Sequence, residues 1–342
     1  MSSVTIPPAR LCILTVTYGN RSNLLCAMAE SAARQGVRKG IVFANGLQTA
    51  ARNALEETCA VLLRDHGLSF AVVHSETNLG PATAYARLVK CAIQDRDAID
   101  AVLMLDDDNI LSDGCITALL RAWDGVGALS AVRSDRQYLV RAAKIGQMDV
   151  PALGEAYGFD LRKFSHRIRN RLGRRQGVAD VQNLVFISRA PYGGLFVPRS
   201  LLEAVPPPRA EFVIYADDYD YTERLATAGG LHLVPNAVVD DQERSWNASP
   251  ASTRRISNVV RLAMGEPDFR IYYALRNALV LDRARSRGRG AFWYKINLTG
   301  LRASLWANCI LRNRPENLRV AWDAIRDAET NTLGLNQKYP LP

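Results

Sequence analysis

Cysteine, histidine and long apolar runs are all scarce in this chain. Its 342 residues include six Cys and four His. Cys12, Cys26, Cys59, Cys91, Cys115 and Cys309 are scattered, with no CxxC pair. That excludes a disulfide framework and thiol-ligated zinc, and reads as reduced, mostly buried thiols in a cytoplasmic protein. His66, His74, His166 and His232 lack zinc-ligand spacing. No stretch approaches the roughly 18 uncharged apolar residues of a membrane span. The opening MSSVTIPPARLCILTVTYGN has one Arg before its apolar run and no small-residue cleavage site, so it does not read as a secretory leader. Nucleotide loops are missing as well. The nearest string to GxGxxG, Gly125-Val126-Gly127-Ala128-Leu129-Ser130, lacks the last glycine, and neither GxxxxGK[ST] nor GxSxG occurs. Dinucleotide-binding, P-loop and serine-hydrolase readings fall away.

What is present is an ordinary globular composition, 48% hydrophobic and 23% charged, in a chain long enough to bury a core unaided. The formal charge of +9 suggests anionic partners such as phosphates, nucleic acid or an acidic membrane face. Charge alone supports a nucleic-acid binder, but the basic residues form patches rather than a recognisable module, so no nucleic-acid partner is expected.

Strand and helix patterns alternate over the first 130 residues. Apolar, β-rich runs at Leu11–Thr17, Gly40–Ala44, Ser69–His74 and Ala101–Leu105 are separated by helical stretches at Ser22–Arg34, Ala50–Arg64 and Pro81–Gln94. Such alternation predicts βαβ units, and continuous apolar strands predict an α/β fold with a mostly parallel sheet covered on both faces. Beyond about Trp246 the patterns turn helical, at Ser252–Met264, Phe269–Arg283, Ala291–Leu311 and Glu316–Ala328. Two domains are expected, 1–247 and a helical C-terminal region at 248–342. Two basic features stand out. Arg162 to Arg175 holds seven Lys/Arg and no acid, which fits a solvated loop or a contact with membrane phosphates. The Ala291–Leu311 stretch carries Phe292, Trp293, Tyr294 and Trp306 among basic residues, which suits packing on the main domain or lying on a membrane surface.

Chemistry concentrates where acids follow apolar strands. Asp106-Asp107-Asp108-Asn109 comes directly after Val102-Leu103-Met104-Leu105. Adjacent carboxylates repel, so a cation is expected to neutralise them, and oxygen donors suit Mg²⁺ or Mn²⁺ bridging a diphosphate. Asp217-Asp218-Tyr219-Asp220 opens a helical pattern, and one of its acids could serve as general base. Asp240-Asp241 ends a third apolar run. A DxDx[TV] phosphatase is the rival reading of Asp106 and Asp108, but Ile110 breaks that pattern and the second acidic segment would be idle.

The order of motifs resembles the inverting glycosyltransferases of family 2, which have the GT-A fold. The resemblance runs over about residues 10–283. Val16-Thr17-Tyr18-Gly19-Asn20-Arg21 resembles the family's nucleotide-binding start. Ala44-Asn45-Gly46 resembles its Asp-Asn-Gly turn with Ala in place of the acid, and Asn78-Leu79-Gly80-Pro81 the segment before the donor-site helix. Asp106-Asp107-Asp108 is similar to the DxD metal motif, Tyr215 to Arg224 to the segment bearing the base, and Tyr272-Tyr273 with Arg276-Asn277 to the helix that follows it. Within the family, the acidic strings look most like those of bacterial galactofuranosyl- and rhamnosyltransferases.

The resemblance implies a UDP- or dTDP-sugar donor and a glycan or lipid-linked glycan acceptor in surface polysaccharide synthesis, such as an O-antigen. It implies donor contacts at Thr17, Tyr18, Arg21, Asn45, Asn78, Gly80, Asp106 and Asp107. Asp106 and Asp108 would hold Mn²⁺ or Mg²⁺, with Asp240, or Asp241, where relatives often carry a metal-binding His. Asp218 is the expected base, with Asp217 or Asp220 as alternatives. Tyr192, Gly193, Gly194 and Trp246 are expected to meet the acceptor. The expected location is cytoplasmic, peripheral on the inner face of the membrane.

Overall fold

The computed structural model describes residues 6–95, 99–148, 150–163, 184–243, 258–264 and 267–342. The chain divides into two compact units. The first gathers Met1–Asp149, Gly177–Ala210 and Asp218–Ala248; the second gathers Val150–Gln176, Glu211–Asp217 and Ser249–Pro342.

The first unit begins β1 (Leu11–Thr17), α1 (Ser22–Ala33), β2 (Lys39–Asn45), α2 (Thr49–His66), β3 (Ser69–Ser75), α3 (Gly80–Gln94) and β4 (Ala101–Asp106). It continues with β5 (Asn109–Leu111), α4 (Cys115–Ala122), β6 (Ala128–Arg133), α5 (Gln137–Ile145), β7 (Val185–Phe186), β8 (Leu195–Pro198), α6 (Arg199–Ala204), α7 (Asp217–Gly229) and β9 (Leu231–Asp241). Among the described residues these strands form one sheet in the order β3-β2-β1-β4-β8-β6-β9-β5, with β7 on β9. The long ladders β3-β2, β2-β1, β1-β4 and β6-β9 are parallel, while the pairings of β8, β5 and β7 are short and antiparallel.

Strand side chains alternate between faces, and the core shows it. Cys12 and Leu14 of β1 join one apolar cluster with residues of α3, α5, α6 and α7. Leu11 and Ile13 join another with residues of α1, α2 and α4. The sheet is therefore covered on both faces, which is why its strands are continuously apolar. Local signals set the helix limits. Pro81 lies in the first turn of α3, where a missing N–H costs nothing. Gly67 ends α2 with φ of 63°. The α/β class, the mostly parallel sheet and the helical C-terminal region all agree with the sequence expectation.

The second unit contains α8 (Asn258–Leu262), α9 (Asp268–Arg285), α10 (Arg289–Leu311) and α11 (Pro315–Thr330). Its centre is polar. Arg276 is buried with its guanidinium over the Tyr272 and Tyr273 rings and donates to the Gly334 carbonyl at 2.8 Å. Asn297 is fully buried and fastens the 150–163 segment, donating to the Gly154 carbonyl at 2.7 Å and accepting from the Leu161 amide at 3.0 Å. Of the basic run Arg162–Arg175, only Arg162 and Lys163 are among the described residues. They pair with Asp160 and Glu155 at 2.8 and 2.9 Å, so these two serve structure.

Candidate active site

β1 turns outward through β2 to β3, and the chain then returns to lay β4 on the other side of β1. The carboxyl ends of β1 and β4 thus flank a topological switch point, where open α/β sheets bind ligands. Residues following both strands meet there. Thr17 Oγ1 donates to Asp107 Oδ2 at 2.8 Å, and Arg21 grips the same carboxylate from Nε and Nη2 at 2.9 Å. Arg21 also lies 3.5 Å from Asp108 and 5.0 Å over the Tyr18 ring.

The Asp106–Asn109 turn is pinned by its last residue. Buried Asn109 accepts from the Asp106 amide at 2.9 Å and donates to Asp241 Oδ1 at 2.8 Å. Asn109 pairs with Asp241 and Ile110 with Asp240 in the β5-β9 ladder. Consecutive residues point to opposite faces, so Asp241 turns into the cluster while Asp240 is exposed on the other side. Of the two acids expected as alternatives, the strand pleat therefore puts Asp241, and not Asp240, in the cluster.

Arg133, the last residue of β6, is 3% exposed and sits between carboxylates. Nη1 donates to Asp106 at 2.6 Å, Nη2 to Asp241, and Nε lies 3.4 Å from Asp135. Gly193 makes room for it, since a Cβ there would fall 2.5 Å from Arg133 Nη1 and from Asn109 Oδ1. Gly194, with φ of 88°, carries the backbone bonds that join β4 and β6 through this segment: its amide donates to the Met104 carbonyl and its carbonyl accepts from Ala131. Tyr192, Gly193 and Gly194 are all buried. They are therefore packed beneath the site rather than presented to an acceptor, and Tyr192 packs at a tilt of 42° against Tyr85, with ring centroids 4.2 Å apart. Trp246 lies outside the described residues.

Asn45 and Asn78, expected at the donor, spend their amides on each other. Asn45 Nδ2 donates to Asn78 Oδ1 at 2.9 Å, Asn45 Oδ1 accepts from the Leu79 amide, and Asn78 Oδ1 from the Gly80 amide. They clasp the loops after β2 and β3 and fix the start of α3. Tyr85, on that helix, donates to the Leu105 carbonyl at 2.9 Å beside the acidic turn.

The acids pay an electrostatic penalty. Burial, with repulsion from Asp106, Asp241 and Asp107, pushes Asp108 up to about 7 against the pull of Arg21. Burial pushes Asp241 up to about 6, although Arg133 opposes it. Burial works against the Arg133 guanidinium, yet Asp106, Asp241 and Asp135 outweigh it and hold it above its ordinary range. The same ion pairs reach Asp135 and Glu243, so Asp106, Asp107, Asp108, Asp135, Asp241 and Glu243 share three guanidiniums, those of Arg21, Arg133 and Arg136. Carboxylates outnumber guanidiniums, an arrangement that a cation would relieve.

The hard oxygen donors and the surplus charge therefore fit Mg²⁺ or Mn²⁺. As the side chains stand, they are aimed at the arginines. No group of three or more His, Cys, Asp or Glu converges to hold a metal ion among the described residues.

Three acids were candidates for the base. Asp217 is 3% exposed. Asp220 is committed to Arg224 at 3.0 Å and Arg209 at 3.7 Å. Asp218 is only partly buried and accepts from the Tyr219 amide at 2.8 Å. Burial raises it to about 6; the Tyr219 amide, Arg136 and Arg189 pull it down while Asp106 pushes it up. Tyr138 and Tyr219 share a hydroxyl contact of 3.2 Å nearby, and Arg189 lies over the Tyr219 ring at 4.6 Å.

The segment before these acids is strained within the second unit. Val213, Tyr215 and Ala216 have φ of 67°, 68° and 64°, a left-handed conformation costly for residues with a Cβ. Asn277 of α9 holds the turn, its amide reaching the Phe212, Ile214 and Tyr215 carbonyls at 2.7–2.9 Å. Sequence reasoning found Arg276-Asn277 by resemblance without a role, and it missed Arg133, Asp135 and Arg189. The available signal for Arg133 was a charged residue ending an apolar strand, the same feature that exposed Asp106.

No family model matches the sequence, and no curated protein matches it. Among solved structures, 165 chains match. One is GalNAc-T7 with UDP, GalNAc and Mn²⁺, at 11% identity and TM-score 0.46; 68% of this chain is covered, but it spans only 44% of that one. A mannosyltransferase from Pyrobaculum calidifontis with GDP-Man and Mn²⁺ matches at 14% identity and TM-score 0.47, covering 97% and 91% of the two chains. Mycobacterium tuberculosis glucosyl-3-phosphoglycerate synthase matches at 13% identity and TM-score 0.42, covering 81% and 80%. With similarity at this level, function has to rest on the chemistry of the site.

Proposed function

We propose that this chain is a metal-dependent glycosyltransferase of the GT-A type that moves a sugar from a nucleoside diphosphate to a hydroxyl of a glycan or lipid-linked glycan. The observation that carries the reading is the acidic cluster at the β1-β4 switch point, in which carboxylates outnumber guanidiniums, together with its electrostatic link, through Asp106, to the partly buried Asp218. Asp106, Asp108 and Asp241 would hold the ion, which supplies neutralisation of charge growing on the leaving diphosphate. Tyr18, half exposed, and Arg21 flank the acidic turn and would meet the nucleotide, while buried Thr17 steadies Asp107 beneath them. Asp218 accepts the acceptor hydroxyl proton as that oxygen bonds the anomeric carbon and the bond from that carbon to the diphosphate oxygen breaks. With Asp217 buried and Asp220 ion-paired, one accessible carboxylate suits a single displacement, hence inversion. The finer assignment, family 2 with galactofuranose from UDP-galactofuranose, or rhamnose from dTDP-rhamnose, is supported by the resemblance of Asp106-Asp107-Asp108 and Asp217-Asp218 to those enzymes.

The test is a melting-temperature screen of the purified chain against UDP-, dTDP- and GDP-sugars with Mn²⁺ and with EDTA. A donor that raises Tm only with metal is the expected result. Indifference to every nucleotide sugar, together with tight salt-sensitive binding to nucleic acid, would overturn the proposal in favour of a polyanion binder.

A further inference from the structure

Helix α10 is apolar on two sides. Tyr294, Leu298, Leu301, Leu305 and Cys309 are buried within the second unit. On the opposite side, at helical spacing, Phe292, Trp306 and Ile310 are 63%, 57% and 51% exposed. Positions 292 and 310 are five full turns apart and 306 lies within about 40° of both, so the three form one stripe. Leu311 at the helix end is 82% exposed. A helix apolar all round is normally covered all round, and isolated exposed apolar residues do not line up in this way.

The charge around the stripe says what covers it. From Arg287 to Arg314 the sequence holds six basic residues and no acid. Arg302 pairs with Glu329 and Arg314 with Glu316. Arg287, Arg289, Lys295 and Arg312 are exposed and have no carboxylate partner among the described residues. A second copy of the chain would set these cations against their own kind, which disfavours self-association. An anionic lipid surface complements both features: headgroups meet the cations while the aromatic and aliphatic side chains enter the headgroup boundary. No helix among the described residues is long and apolar enough to cross a membrane, so the contact is in-plane. We propose that the outer face of α10 docks on an anionic membrane surface through Phe292, Trp306, Ile310 and Leu311, with Arg287, Arg289, Lys295 and Arg312 as its electrostatic rim.

The experiment is sedimentation of the full chain with vesicles of phosphatidylcholine, with and without phosphatidylglycerol, at low and high salt. Binding to the anionic vesicles, reversed at about 0.5 M salt, is expected. Trp306→Ala with Ile310→Ala should weaken it by about tenfold or more, the scale of losing one inserted large side chain, with an unchanged melting curve. Equal recovery in the supernatant with both lipids at low salt would overturn the proposal. So would a double variant that binds vesicles like the parent, or a dimer in solution that the double variant dissolves.

Discussion

Replacing Arg133 by methionine keeps most of the side chain's volume and deletes the charge between Asp106, Asp241 and Asp135. Arg133 is 3% exposed and the Asp241 side chain 4%, while that of Asp106 is 40% exposed and screened by water, so the penalty falls on the Arg133–Asp241 pair. Removing one partner of a buried ion pair costs about 3–5 kcal/mol, because the remaining charge stays buried and uncompensated. Domains of about 150–250 residues lose roughly 2–4 °C of Tm per kcal/mol, so a fall of about 6–20 °C at pH 8 is expected by circular dichroism.

The loss should shrink in acid. Asp241 already sits near 6, and without its guanidinium it rises further. A carboxyl whose folded pKa exceeds its unfolded value of about 3.9 binds more protons folded than unfolded between those two values. Stability is therefore regained as pH falls through the folded pKa. The gap between variant and parent should narrow from pH 8 to pH 5.5, and Asp241→Asn added to the variant should recover part of it at pH 8. An Arg133→Met protein melting within about 2 °C of the parent across that range would refute the account of a strained, charge-surplus cluster, since 3 kcal/mol cannot hide in so small a shift.

Asp108→Asn should abolish the Mn²⁺-dependent rise in Tm with nucleotide sugar while leaving the metal-free protein as stable or more so, because a carboxyl raised to about 7 is a burden at neutral pH; isothermal titration with Mn²⁺ reads the loss directly. Asp218→Asn should keep donor binding and lose about 10²–10⁴ in turnover, the usual scale for a general base. In the parent, kcat should decline as pH drops below about 6, where Asp218 takes up its proton; a flat profile down to pH 4.5 in steady-state assays would remove Asp218 from that role. Asn277→Ala frees three carbonyls of the 212–215 turn, so protease nicking near Tyr215 should increase and kcat should fall more than KM rises.

What the sequence showed and what it hid divide along a physical line. Contiguous information was legible: β1 runs over Leu11–Thr17 as its apolar run predicts, and Asp106 announces itself by ending β4. Register was not. Asp240 and Asp241 are equivalent as neighbours on paper, and only the pairing of Asn109 with Asp241 decides which faces the cluster. The glycines misled for a related reason. Gly193-Gly194 suggested an open approach for a sugar, whereas the contact that forbids a side chain at Gly193 comes from Arg133, sixty residues earlier in the chain.

The cation itself was hidden because charge runs draw attention to arginines in clusters, and Arg133 only closes an apolar strand before the mixed string Ser134-Asp135-Arg136. Its meaning lies in the distant partners Asp106 and Asp241, brought together by β6 lying two strands from β4 and beside β9. An acidic motif is visible wherever it is contiguous; the counter-charge that makes it tolerable is a tertiary property. Locating that counter-charge shows that the carboxylates of the cluster outnumber the guanidiniums bound to them, and that excess is the strongest physical reason to look for a divalent ion at this switch point.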